Sequence, residues 1–407
     1  MTILINRIGT DASVNTTNSS DQIMPQIAGL PDGGYVVTWW GYLSDIYAQR
    51  YDSSGAKVGG EVHIDVPGNQ EDQRPSVVGL ADGGYVVSWQ GFIGTNTNSW
   101  DIYTQTVDAN GALVGAAKVV NTTRSGEQTM SAVTALSGGG YVVTWTSLDY
   151  STNNYSVYLQ RYDADGAKLG VETRVNTTND RETSTSVSNL ADGGYVVAWQ
   201  AYLFGSPGGY SINSQRYNAD GSANGGQTQV YLSLVNSVGG ARVAGLAAGG
   251  FVVTWQDDGR DGSGAGIYAQ RYDASGAVVG ASFLVNTHTQ SEQSRPVVEG
   301  LADGGFLISW TDAGSSNFAS GVYAQRYDAN GNKVGAEFPV SQTTSEFSVA
   351  VTALTGGGFA FAFEQDTVGF GDHHDVRQVV YGPTVTTPVL SSAPELAVGD
   401  GAERREL

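Results

Sequence analysis

The sequence predicts an all-β fold, a seven-bladed β-propeller of four-stranded blades, and three observations carry that expectation. The first is a block, Gly33-Gly34-Tyr35-Val36-Val37-Thr38-Trp39, that returns six more times. The copies begin at Gly83, Gly139, Gly193, Gly249, Gly304 and Gly357, so the period stays between 50 and 56 residues. A period of that size marks an array of supersecondary units. The second is the lack of any sustained 3.6-residue apolar period, which removes helices as the building material. The third lies at the two ends: the last unit has no fourth run, and a matching fragment stands near the start.

The second unit serves as a template for the others. Pro75 to Leu80 reads as a first strand, closed by the turn Ala81-Asp82-Gly83-Gly84. Tyr85 to Trp89 is the second, dense in β-branched and aromatic residues. After a variable loop, Asp101 to Gln105 is the third, and Asp108-Ala109-Asn110-Gly111 turns the chain into the fourth, Gly115 to Val120. In such turns Asp and Asn bond their own backbone and Gly accepts a positive φ. The third run recurs as Ile46 to Asp52, Val157 to Asp163, Ile267 to Asp273 and Val322 to Asp328, and in degraded form as Ile212 to Asn218. Four-stranded units repeated about an axis are propeller blades.

The seventh unit has a third run around Val376 to Tyr381, then Gly382-Pro383, with no Asp-x-x-Gly turn. Val14-Asn15-Thr16-Thr17 matches the tail of the fourth strand elsewhere, as in Val120-Asn121-Thr122 and Val175-Asn176-Thr177. The N-terminal segment, near residues 11–17, is therefore expected to complete the last blade and latch the ring. The propeller then spans residues 1–382. Residues 383–407 form a tail, with a secretion signal, a linker and a disordered end as the alternatives.

The totals narrow the function. With 20 basic and 40 acidic residues the net charge is −20, a surface that repels phosphate backbones and anionic lipid. Nucleic acid is thereby disfavoured as a partner. No apolar run reaches the roughly 20 residues that a spanning helix needs, so membrane insertion is not expected. There is no cysteine, which excludes disulfides, thiolate metal sites and a Cys nucleophile. Met1 to Arg7 lacks the features of a cleavable signal peptide.

The blocks Gly-Gly-Tyr-Val-Val-Thr-Trp, Ile-Tyr-Ala-Gln-Arg-Tyr-Asp-x-x-Gly and Val-Asn-Thr resemble repeats of large secreted bacterial proteins. These are the hemolysin-type (RTX) calcium-binding proteins and adhesins. The resemblance covers about residues 11–381 and implies an extracellular or cell-surface protein exported by type I secretion through an uncleaved C-terminal signal. The Gly-Gly-x-Gly-x-Asp calcium repeats of that family do not occur here. No cofactor is required by this reading, and Ca²⁺ remains a candidate ligand. In architecture alone the chain is similar to seven-bladed bacterial lectins.

In a propeller the first and third turns of each blade share one face, and the remaining loops share the other. On the turn face, Asp32, Asp82, Asp192 and Asp303, with Asp52, Asp108, Asp163, Asp165, Asp273 and Asp328, are either hard-cation ligands or turn residues. On the loop face the strand-end tryptophans Trp39, Trp89, Trp145, Trp199, Trp255 and Trp310 are candidate sugar platforms. Packing between blades is the other reading of these six. Trp40 and Trp100 lie off the repeat and are candidates for exposed contact. Beside them Gln22, Gln73, Gln128 and Gln293, each next to an acid, could hydrogen-bond sugar hydroxyls.

Arg50, Arg161, Arg216, Arg271 and Arg326 recur in one strand and are expected to pair with acids such as Glu61, Glu172 or Glu337. His373 and His374, in Asp372-His373-His374-Asp375, are weak metal candidates, because neighbouring strand residues point to opposite faces. No Ser/His/Asp set stands out. The expected function is accordingly a secreted carbohydrate-binding lectin with repeated weak sites. A structural or protein-interaction domain of an adhesin, binding a surface protein, is the alternative. A glycan-active enzyme ranks last, because catalysis needs one asymmetric site and the chain offers near-equal copies.

Overall fold

The computed structural model describes residues 4–16, 20–41, 44–66, 68, 71–94, 100–204, 208–316, 318–341, 348–366 and 373–384. Twenty-eight strands form seven antiparallel four-stranded sheets, and in blades 1 to 6 the strands follow chain order from the axis outward. Blade 1, for example, comprises Ile23–Gly29, Tyr35–Trp40, Ile46–Tyr51 and Lys57–Ile64. In blade 7, Val349–Ala353, Phe359–Asp366 and His374–Thr384 are joined by Leu4–Ser13 from the chain's start. That outer strand runs from Leu4 opposite Thr384 to Ser13 opposite Arg377. It thus begins earlier than residue 11 and ends before Val14. The ring is closed by the N-terminal strand, as expected, and the expected tail lies outside the described residues from 385 on.

The Val-Asn-Thr repeat follows the outer strand and pins it to its neighbour. The N–H of Val14, Val120, Val175 and Val285 donates to Val376, Ile102, Val157 and Ile267 O at 2.8–2.9 Å. In return the N–H of those four residues donates to Asn15, Asn121, Asn176 and Asn286 Oδ1, at 3.0, 2.8, 2.8 and 2.8 Å. All four asparagines are buried. Their amides are satisfied too: Asn15 donates to Asp375 at 2.9 Å and Asn121 to Asp101 at 2.6 Å.

The core lies between blades rather than within them. Trp89 packs with Leu30, Val36 and Ile46 of blade 1, and Trp39 with Ala350, Ala360 and Val376 of blade 7. Trp145, Trp199, Trp255 and Trp310 repeat this contact with blades 2, 3, 4 and 5. Four of the rings also stack on a cross-strand tyrosine, Trp39 on Tyr47, Trp89 on Tyr103, Trp145 on Tyr158 and Trp255 on Tyr268, with centroids 5.9–6.3 Å apart. Burying about 200 Å² of a Trp stabilises by at most about 5 kcal/mol, so six such contacts dominate the joining of the blades.

The arginines of the third strand do not meet Glu61, Glu172 or Glu337. Arg50 pairs with Asp32 at 3.0 Å and Arg216 with Asp192 at 3.1 Å, and Arg326 pairs with Asp303. Arg161 and Arg271 donate to carbonyls of the next blade's turn, Ala219 O at 2.7 Å and Ala329 O at 2.6 Å. The glutamates lie further out on the fourth strand. There they accept the N–H of Thr16, Thr122 and Thr287 from the preceding blade at 2.6–2.7 Å. The arginine–carbonyl bonds and the glutamates tie a blade to its neighbour, whereas the three arginine–aspartate pairs lie within one blade.

A buried polar residue at the start of the inner strand has a separate duty within its own blade. Gln22 and Gln128 accept the indole N–H of Trp39 and Trp145, at 2.8 and 3.0 Å. Blade 4 puts Glu182 at this position, fully buried, with its carboxyl held by Thr178 Oγ1 at 2.6 Å. Burial raises the Glu182 pKa from 4.5 to about 7.

Two measurements check this account. Asn121→Ala removes the acceptor of a buried N–H and the partner of buried Asp101, so the unfolding free energy should fall by about 1–3 kcal/mol in denaturant titrations. For Glu182, the folded chain keeps a proton that the unfolded chain releases. Stability is therefore lost as pH rises from about 4.5 to about 7. Glu182→Gln should raise the melting temperature at pH 8 and leave it nearly unchanged at pH 4; an equal shift at both would contradict the assignment.

Candidate functional site at the channel mouth

The seven inner strands enclose an axial channel with a cavity volume of about 1090 Å³. Such a volume is at or above the usual range of ligand pockets, roughly 300–1,000 Å³. Its loop-face mouth is shaped by a β-bulge in each of six inner strands. The ladder slips between Ile23 and Gln26, Gln73 and Ser76, Thr129 and Ala132, Thr183 and Ser186, Gly239 and Arg242, and Ser294 and Val297. At each bulge one residue has a positive φ: Met24 54°, Arg74 53°, Met130 56°, Ser184 56°, Gly240 64° and Arg295 54°. All six line the channel. Five are not glycine, and such a conformation costs on the order of 1 kcal/mol each.

A bulge frees an N–H from the ladder, and the preceding blade takes it up. The acceptor stands one residue past the strand-end aromatic. Gln90 Oε1 accepts from Met130 at 3.1 Å, Gln200 from Gly240 at 2.8 Å and Gln256 from Arg295 at 3.1 Å. In blade 7 this position is Glu364, whose carboxylate accepts from Met24. Blades 3 and 6 carry Thr146 and Thr311 there, and blade 1 carries Trp40. Glu364 is therefore the single acid in a ring of neutral side chains. It is buried, and burial raises its pKa against the lowering pull of the Met24 N–H, His374 and Arg295.

Charge in the channel is uneven as well. Arg74, Arg242 and Arg295 line it together with Glu299 and Glu364. Glu299 accepts the Ala353 N–H at 3.1 Å, and burial lifts its pKa to about 7. Burial also lowers the pKa of Arg74 and Arg242, with no carboxylate acting against it.

The residues singled out from the sequence fall elsewhere. Trp39, Trp89, Trp145, Trp199, Trp255 and Trp310 are at most 1% exposed, so none presents a ring face to a sugar. Trp40 and Trp100 are partly exposed, Trp100 tilted against Phe92 at 5.3 Å. Gln22 and Gln128 are spent on Trp indoles, Gln293 accepts from Asn286 at 3.0 Å, and Gln73 donates to Glu71. In blade 2 the buried position of Gln22 is filled by Asp72, one residue before Gln73. The loop face does expose aromatics: Tyr150 and Phe204 are each 56% accessible and Tyr202 is 42%.

Asp163 Oδ1 accepts the N–H of Asp165 at 3.1 Å and of Ala167 at 2.8 Å, the arrangement of a turn. Asp52, Asp108, Asp273 and Asp328 do the same, and hydrogen bonds in the turn hold their carboxyls below the usual range. His373 and His374 face different acids, Asp21 at 3.9 Å and Asp366 at 2.6 Å. Three carboxylates that the sequence did not flag, Asp45, Asp65 and Asp72, approach within 4.8 Å of one another. Asp45 already meets His63 at 2.7 Å.

One further set was also missed. His288 Nδ1 lies 3.1 Å from Asp312 Oδ2, and its Nε2 lies 3.3 Å from Ser315 Oγ. The order is that of a nucleophile triad, yet the backbone donors beside it are engaged. Gly314 N–H is bonded to Asp312 and Ser315 N–H to Phe318 O, both at 2.8 Å. With these two donors taken, the chain of bonds holds the loop, aided by the stacking of His288 on Phe318 at 3.9 Å.

No family model matches this sequence, and no curated protein matches it. Among solved structures it is similar to a protein of unknown function from Dyadobacter fermentans, with 12% identity, a TM-score of 0.58, and coverage of 93% of this chain and 99% of that one. It is also similar to an ulvan lyase, a polysaccharide lyase bound to GlcA(1-4)Rha3S, with 11% identity, TM-score 0.59 and coverage of 91% and 96%. A third is the α-L-arabinofuranosidase of Fusarium graminearum in complex with arabinobiose, with 10% identity, TM-score 0.51 and coverage of 77% and 94%. These likenesses establish the fold. They also correct the expectation of a non-enzymatic lectin or adhesin module, since the similar propellers whose activity is named are glycan-active enzymes. The premise behind that expectation fails on the geometry: near-equal repeats do not make an equal ring, because the channel mouth holds one acid and an uneven set of arginines.

Proposed function

We propose that this chain is a carbohydrate-processing enzyme whose reacting groups lie at the loop-face mouth of the axial channel. The observation that carries the reading is Glu364. Blades 2, 4 and 5 fill its position with Gln, and the amide oxygen holds the next blade's bulge as the Glu364 carboxylate does. Structure alone would be served by the amide, so the acid adds proton transfer. A buried carboxyl whose pKa is raised by that burial is suited to act as a proton donor or acceptor. It can protonate a glycosidic oxygen as the bond breaks, or remove a proton from a sugar ring carbon.

The exposed rings of Tyr150, Tyr202 and Phe204 offer apolar faces on which sugar C–H groups stack. The glycan-active propellers of similar fold support the same substrate class. The repeat resemblance to RTX proteins supports an extracellular setting reached by type I secretion, with Ca²⁺ as a candidate structural ligand rather than a reactant.

The test is depolymerisation. The protein is incubated with neutral and uronate-bearing polysaccharides, and new reducing ends and unsaturated uronates are followed. At least one polymer should be cut, and Glu364→Gln should lower the rate by about 10²–10⁴-fold with an unchanged melting curve. Full turnover in that variant, or no polymer cut at all, would sink the proposal.

A further inference from the structure

In a chain of net charge −20, three arginines line the channel, Arg242 and Arg295 on the adjacent blades 5 and 6 and Arg74 across from them on blade 2. Arg74 and Arg295 occupy corresponding bulge tips in blades 2 and 6, and Arg242 stands two residues past the glycine at that position in blade 5. Gly240 demonstrates that the bulge does not need a side chain there. At positions 74 and 295 the chain carries a long cation in spite of the positive φ. Arg242 donates one bond to the adjacent Ala241 O at 3.0 Å. Arg295 is within electrostatic reach of Glu364. These guanidiniums contrast with Arg50, Arg216 and Arg326, which are paired with acids on the turn face.

We infer that the channel mouth binds an anionic glycan, one bearing carboxylate or sulfate groups, with Arg74, Arg242 and Arg295 as its anion contacts. The inference rests on the reading above for the place of the site and names the substrate class. Guanidinium forks match carboxylate and sulfate oxygens geometrically, and such charge-assisted bonds are roughly twice as strong as neutral ones. The two acids in the channel do not cancel the arginines. Burial pushes Glu299 and Glu364 toward their neutral forms, while the guanidiniums stay charged. The acidic exterior opposes approach only over distance. At physiological salt that repulsion fades within about 8 Å, whereas the arginines act at contact.

The experiment measures binding of four probes to the full chain: polygalacturonate, dextran sulfate, neutral arabinan and a single-stranded oligonucleotide. Wild type is compared with Arg74→Gln, Arg242→Gln, Arg295→Gln and, as a charge-matched control, exposed Arg174→Gln. Melting curves verify folding. We expect one or both polyanionic glycans to bind and arabinan to bind far more weakly. Each channel variant should lose about tenfold or more in affinity, and the control should match wild type. Polygalacturonate binding without dextran sulfate assigns the carboxylate, and the converse assigns the sulfate. Equal affinity for arabinan, loss in the control alone, or binding of the oligonucleotide but neither glycan overturns the inference. Arabinan cleavage without polyanion binding would overturn it while leaving the enzyme reading intact. Polyanion binding without any cleavage would do the reverse.

Discussion

A hydrogen bond between blades fixes the working end of this molecule. Each inner-strand bulge expels one N–H from its ladder, and a buried N–H without a partner costs on the order of 1–3 kcal/mol. At four of the six bulges the side chain one step past the preceding blade's strand-end aromatic supplies the acceptor, as Gln90 does for Met130 and Gln256 for Arg295. That side chain can reach only if the Trp before it is seated against the blade behind. Packing of the tryptophans, spacing of the blades and shape of the channel mouth are thus parts of one arrangement.

Closure obeys the same logic at the rim. The Val-Asn bracket and the clamp from Glu61 to Thr16 recur at the seam between blades 7 and 1 in the form found within the chain, as between Glu172 and Thr122. The ring's weakest point by connectivity is therefore bonded in the same form as the junctions between blades 2 and 3 and between blades 5 and 6.

Much of this could be read from residues alone, because it is periodic or local. The Gly-Gly-Tyr/Phe block gave the strand order, and Val14-Asn15 matched Val120-Asn121 closely enough to locate the latch. Three things were not readable. Packing of Trp39 and its equivalents between blades was one of two readings, and the structure bears it out; choosing it depends on how closely blades approach, which a strand pattern does not encode. The pairing of Arg50 with Asp32 rather than Glu61 depends on which end of the sheet a side chain leans toward. The bulges change strand register by one residue, and the acid–amide pair of blade 2 sits one position later relative to its bulge than in blades 1, 3 and 6, so that Asp72 takes the buried place. A signal for them existed: Pro25, Pro75 and Pro296 sit just after the bulge residues, where a ladder N–H cannot be donated.

The difficulty with a repeat protein as an enzyme is that symmetry offers every site seven times and none of them singly. Here the repeat supplies a way out. The bulge N–H needs an oxygen acceptor and is indifferent to the group that carries it, so amide and carboxylate are interchangeable for the fold. A change from Gln to Glu in one blade leaves the backbone where it was. It places a titratable group in a buried, pre-shaped mouth, with Met24 N–H already bonded to it and Arg295 near it. Bulge tips have the same freedom, since Met24, Arg74, Ser184 and Gly240 all serve. An asymmetric site can therefore be written onto a nearly symmetric frame at positions whose structural duty is carried by the main chain.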